Sequence, residues 1–92
     1  MVAGSSQIAW GEGVEKQFNQ MIEKIPIFLR GIAKEKVFKK VESIVRLENR
    51  SEISEKDMVD AFFAETPFGF HGPMKSDMQE LGIDYVQYGY EK

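Results

Sequence analysis

The chain contains no cysteine. By itself it therefore offers no disulfide, no thiolate nucleophile and no cysteine ligand for zinc or an iron–sulfur cluster. Its single histidine, His71, is too little for a transition-metal site built on imidazoles. No stretch approaches the ~20 apolar residues of a membrane span. The segment Met1 to Ser6 has neither a charged leader region nor an apolar run, so it does not read as a signal peptide. A phosphate-cradling loop is also missing, because Gly69-Phe70-His71-Gly72 lacks both the spacing and the lysine. The carboxylates Glu52, Glu55, Asp57 and Asp60 lack the glycine and distal glutamate of a calcium loop. They read instead as complements to the positive end of a helix. These absences fit a reducing cytoplasm, which is the expected location.

Ninety-two residues, 42% of them hydrophobic, make one small domain that should fold rather than stay disordered. The net charge of −3 conceals an asymmetry. Residues 1–50 hold nine Lys/Arg and six Asp/Glu, whereas residues 51–92 hold three and nine. Ordinary solvated helix surfaces account for this, and a basic face opposite an acidic one is the sharper alternative.

Apolar periodicity predicts helices. Trp10, Val14, Phe18, Met21, Ile22 and Ile25 recur at spacings of three and four, so a first helix is expected from near Trp10 to about Lys24. Gly11 and Gly13 weaken its first turn, and Pro26 ends it. Pro26 also suits the first position of a second helix. Leu29, Ile32, Ala33, Val37, Val41, Ile44 and Val45 give that helix one apolar stripe running to about Glu48, roughly 33 Å of spine. Ser54 and Asp57 then form a capping box, flanked by Ile53 and Met58 at the staple positions. The third helix continues through Val59, Phe62 and Phe63.

From Thr66 to Pro73 two prolines and two glycines make loop chemistry. A short fourth helix is expected from Pro73 or Met74 to Gly82. Ile83 to Tyr90 alternates like a strand but has no visible partner, so it reads as an extended tail. The letters show no internal repeat. The expected architecture is all-α, with three main helices including a long central one, a short fourth, and an extended C-terminal tail. Residues 1–9 are expected to be a flexible N-terminus, 10–65 the helical domain, and 66–92 a loop, short helix and tail on the same body.

No constellation points to a reaction. His71 reads as a solvent-exposed loop histidine. The basic run Lys34, Lys36, Lys39, Lys40, Arg46 and Arg50 is interleaved with Glu35, Glu42 and Glu48, so nucleic acid is not the expected partner. The aromatics Phe62, Phe63, Phe68, Phe70, Tyr85, Tyr88 and Tyr90 gather in the second half and read chiefly as core. An exposed patch for a partner, a flat ligand or a second copy is the alternative.

Trp10, then Ile25-Pro26, Phe28-Leu29-Arg30, Glu42 with Val45-Arg46, Ile53-Ser54, and Val59 with Ala61 stand in a pattern that resembles the small C-terminal domain of the B subunit of light-independent protochlorophyllide reductase. The resemblance covers residues 10–62 and leaves the tail outside. It implies a helical module associated with a nitrogenase-like, tetrapyrrole-related redox system of chlorophyll biosynthesis. Electrons in that enzyme class pass through iron–sulfur clusters held in other domains, and this chain has no cysteine to match them. The resemblance therefore implies an accessory or docking role with no cofactor, no metal and no catalytic residue on this chain. The candidate partner or ligand surface is Phe28, Arg30, Lys34, Phe68 and Phe70. For Arg30, a salt bridge or plain helix-surface position is the competing reading. Direct binding of a flat tetrapyrrole-like ligand, and a histone-like nucleic-acid-binding unit, are the alternative functions.

Overall fold

The computed structural model describes residues 8–92, and the expected flexibility of residues 1–7 lies outside the described residues. The chain runs β1 (Ala9–Trp10), α1 (Val14–Glu23), a 3₁₀ turn (Ile27–Leu29), α2 (Arg30–Leu47), β2 (Glu52–Ile53), α3 (Glu55–Glu65), a 3₁₀ turn (Phe68–Phe70), α4 (His71–Glu80) and a last 3₁₀ turn (Tyr85–Tyr88). The all-α expectation holds, with α2 as its long central helix of 18 residues packed mainly on α3.

Two features depart from expectation at the start of the chain. Trp10 does not open the first helix. It lies in β1, which pairs in parallel with β2 in the register Ala9 to Glu52 and Trp10 to Ile53. Ala9 donates to the Ser51 carbonyl at 2.9 Å and Gly11 to the Ile53 carbonyl at 2.8 Å. Residues 8 and 9 are thus part of the folded body rather than a flexible lead. A Cβ on Gly11 would lie 2.7 Å from the Ile53 oxygen, so the bridge requires glycine there. The pairing escapes periodicity because each strand has only two residues.

The core is one cluster. Phe18, Val41, Val45, Ile53, Met58 and Phe62 are all at most 2% exposed. Trp10 packs on Phe18 and Phe38, with ring centroids 5.0 and 5.7 Å apart. The apolar stripe predicted for α2 is buried only from Val37 onward. Leu29 and Ile32 are 43% and 60% exposed, because the first turns of α2 extend past the helices that cover its later half.

Element order repeats even though the letters do not. Each half reads strand, helix, proline, 3₁₀ turn, helix. Pro26 and Pro67 share an extended backbone, with φ, ψ of −51°, 139° and −54°, 143°. Each half also ends in the same stop. Arg50 donates to the Val45 carbonyl past left-handed Asn49, and Ile83 to the Met78 carbonyl past left-handed Gly82. This is the Schellman arrangement, which satisfies the last carbonyls of α2 and α4.

α4 starts at His71, two residues earlier than expected. The tail is not extended either. Its backbone coils into a 3₁₀ turn, and buried Ile83 and Tyr85 plug the core. The apparent alternation arises because residues 83 and 85 point inward while Asp84 and Val86 stay exposed. Beyond the plug, Tyr88 donates to Glu55, and Tyr90 to Asp60 at 2.5 Å. The Tyr90 ring stacks on Phe63 at 3.8 Å.

These clasps make the tail pH-sensitive at its alkaline end. Burial first, then the bond to a carboxylate, pushes both phenols up to about 12. A raised folded value favours the neutral phenol. The clasp therefore contributes fully below the unfolded value of ~10 and is lost as pH rises through about 12. In an absorbance titration, Tyr88→Phe and Tyr90→Phe should each remove one late-ionising phenol. Titration of the wild-type tyrosines entirely near pH 10 would refute the clasp.

Candidate functional site

The two prolines shape an apolar groove on the surface. Each imposes an extended step and is followed by a single 3₁₀ turn, closed by Leu29 donating to the Pro26 carbonyl (2.9 Å) and Phe70 to the Pro67 carbonyl (2.8 Å). The resulting elbows, residues 26–29 and 67–70, face one another across an apolar groove of about 410 Å³. Met21, Phe62 and Met74 form its floor, while Leu29 and Phe70 stand on opposite walls. Lys24 and Asp77 supply its polar corner, and Lys24 pairs with Glu80 at 2.8 Å, tying α1 to α4 at the rim. The hydrogen bond to Glu80 raises the Lys24 ammonium above its ordinary range. A broader depression of about 740 Å³ lies over the β-bridge around Gly11, Arg50 and Ser54, but it is walled by turns and charged side chains.

Large apolar side chains crowd the elbows. Ile27, Phe28, Phe68 and Phe70 are 76%, 78%, 87% and 64% exposed. Such exposure is uncommon for rings in a small monomer and marks an interaction surface when it clusters.

The five residues singled out from the sequence separate here. Phe70 lines the groove. Phe28 stands on the first elbow beside it. Phe68 stands on the second elbow but faces a different depression, with His71, Phe63 and Tyr90. Lys34 is exposed on α2. Arg30 has a structural post, donating from Nε to the Ile25 carbonyl (2.7 Å) and from a terminal nitrogen to the Glu23 carbonyl (2.8 Å). It thereby closes the C-terminal end of α1 and fixes the first elbow.

His71 holds the matching post in the second half. It donates from Nε2 to the Thr66 carbonyl at 2.9 Å, and its ring packs edge-on against Phe63 at 5.2 Å. It is half-buried at the start of α4 rather than an exposed loop residue, because the loop expected around it is the second elbow.

Sequence reasoning missed the groove itself. Pro26 read as the end of one helix and the start of the next, Pro67 as loop chemistry, and Met21, Phe62 and Met74 as helix-stripe residues. The usable signal was the recurrence of proline, apolar, any residue, apolar, base in Pro26 to Arg30 and Pro67 to His71.

Elsewhere several charged groups form ion pairs along their own helices. Lys39 meets Glu35, Arg46 meets Glu42, and Lys56 meets Asp60. Among the described residues, no three His, Asp or Glu side chains converge as metal ligands would, and no helix is long and apolar enough to cross a membrane. A family model described as "Protein of unknown function (DUF2621)" matches residues 2–91, and the chain belongs to that family. No curated protein and no solved structure matches the chain.

Proposed function

We propose that this DUF2621 member is a non-enzymatic accessory module that works by binding, and that its working surface is the groove between the proline elbows. One observation carries the reading. A nearly all-apolar groove is flanked by rings that the fold leaves in water, next to three prolines that stiffen its walls. Rigid apolar walls bind with little ordering cost. The resemblance of residues 10–62 supplies the partner to test, a component of a nitrogenase-like, tetrapyrrole-related reductase, met in the cytoplasm.

Biolayer interferometry with the full chain immobilised and the purified catalytic subunits of a light-independent protochlorophyllide reductase as analytes tests this. Micromolar binding that weakens at least tenfold with Phe70→Asp is the expected result. Binding that is indifferent to Phe70→Asp would exclude the groove, and no binding at about 100 µM would exclude this partner. A second reading rests on the size of the groove, which falls in the range of small-molecule sites. It predicts an absorbance shift on titration with a protochlorophyllide analogue.

A further inference from the structure

We infer that in the free protein the elbow groove is closed by a second copy of the chain, the two copies meeting about a two-fold axis that runs through the groove. The inference rests on the groove being the working surface and names its resident partner. Three observations point to a second copy.

The first is area. Phe28 and Phe70, at 78% and 64% exposed, leave roughly 200–350 Å² of ring surface in water beside the groove, taking about 150–250 Å² per ring. Ile27, Leu29 and Ile32 on the first elbow and the turn after it add a comparable share. The sum, roughly 400–700 Å², is half or more of the ~800 Å² that each partner contributes to a stable interface.

The second is charge. Leaving aside Lys24 and Glu80, which pair within one copy, residues 23–36 around the first elbow carry three Lys/Arg against two Glu. Residues 65–80, around the second, then carry one Lys against two acids, Glu65 and Asp77. A single elbow pair on one copy is thus basic on one side of the groove and acidic on the other.

The third is arrangement. An isologous contact places patch i of one copy on patch j of the other and the reverse. A two-fold axis along the groove sets each basic elbow over the partner's acidic elbow, twice, while the rings on both sides leave water together. The same chain turned any other way would set like charges together. A reductase component would then compete with the second copy for the groove.

Sedimentation equilibrium of the full chain between about 5 and 500 µM tests this, since a homodimer's population follows mass action. The expected result is a monomer–dimer equilibrium that weakens several-fold when NaCl rises from about 50 to 500 mM. Phe28→Asp and Phe70→Asp should each shift the midpoint at least tenfold toward monomer, with an unchanged circular-dichroism melt at the dilute, monomeric end of the range because both side chains are exposed. Leu47→Asp, equally exposed at the far end of α2, should leave the dimer intact. A monomer throughout the range overturns the inference, as does a dimer that survives both phenylalanine variants or dissociates with Leu47→Asp. If the chain is monomeric yet Phe70→Asp abolishes reductase binding, the dimer is wrong and the groove reading stands.

Discussion

Replacing Phe18 by alanine will lower the unfolding free energy by about 3–5 kcal/mol, the range for deleting a fully buried ring. Phe18 is 1% exposed and touches three other rings, with centroids 5.0 Å from Trp10, 6.4 Å from Phe38 and 5.7 Å from Phe62. Those partners sit on β1, α2 and α3, so the void would open where four elements meet and none can collapse into it without breaking another contact. A domain of this size has about 5–15 kcal/mol in total, so the variant should melt roughly 12–40 °C lower. Trp10 fluorescence follows the transition, because the only tryptophan lies against the substituted ring. Phe68→Ala is the control. Phe68 is 87% exposed, and its loss should change stability by no more than about 0.5 kcal/mol. A Phe18→Ala loss below about 1 kcal/mol would mean that the aromatic cluster is not the centre of the core.

The helices were legible because helix signals are local. Ser54 and Asp57 stand three apart, and their side chains and amides exchange hydrogen bonds as a capping box. Val14, Phe18, Met21 and Ile22 line the buried side of α1 as their spacing requires. What could not be read depends on contacts between distant residues. The β-bridge joins residues 9–10 to 52–53, and two residues have no period. Leu29 and Ile32 carry the same apolar pattern as Val37 and Val41, but pattern cannot say where the covering helices stop. Arg30 and His71 look unlike each other as letters. Each donates to the carbonyl five residues back across a proline elbow, and only the backbone path makes them equivalent. The groove shares this origin, being the gap left between two local motifs that the fold brings side by side. Phe28 was a candidate through the family resemblance and Phe70 through the gathering of aromatics in the second half, whereas Met21, Phe62 and Met74 face the groove from positions that any core residue could hold.

Asp57→Asn will destabilise the protein by about 2–4 kcal/mol at neutral pH and flatten its stability profile below pH 4. Asp57 is the one charged side chain among the buried residues, at 3% exposed. Its two oxygens accept from Arg50 at 2.9 and 2.7 Å, and one of them also accepts from the Ser54 amide at 2.8 Å and hydroxyl at 3.0 Å. Burial alone would raise this carboxyl, but the bonds from Arg50 and Ser54 outweigh it and hold the group below the usual carboxylate range. The sign follows from that depression. The folded state prefers the anion, so the contribution is fully present above the unfolded value of ~3.9 and is lost as pH falls through the lower folded value. Asparagine keeps the shape of the carboxylate but supplies one acceptor oxygen where four hydrogen bonds converge, and it leaves the Arg50 cation with only the exposed Glu48 as counter-charge. The same residue caps α3 and, through Arg50, holds the turn that carries β2, since Arg50 also donates to the Glu52 carbonyl at 3.2 Å. Urea unfolding from pH 2.5 to 7 should show the two curves farthest apart at neutral pH and converging in acid. Parallel curves across that range would remove Asp57 as the source of the acid sensitivity.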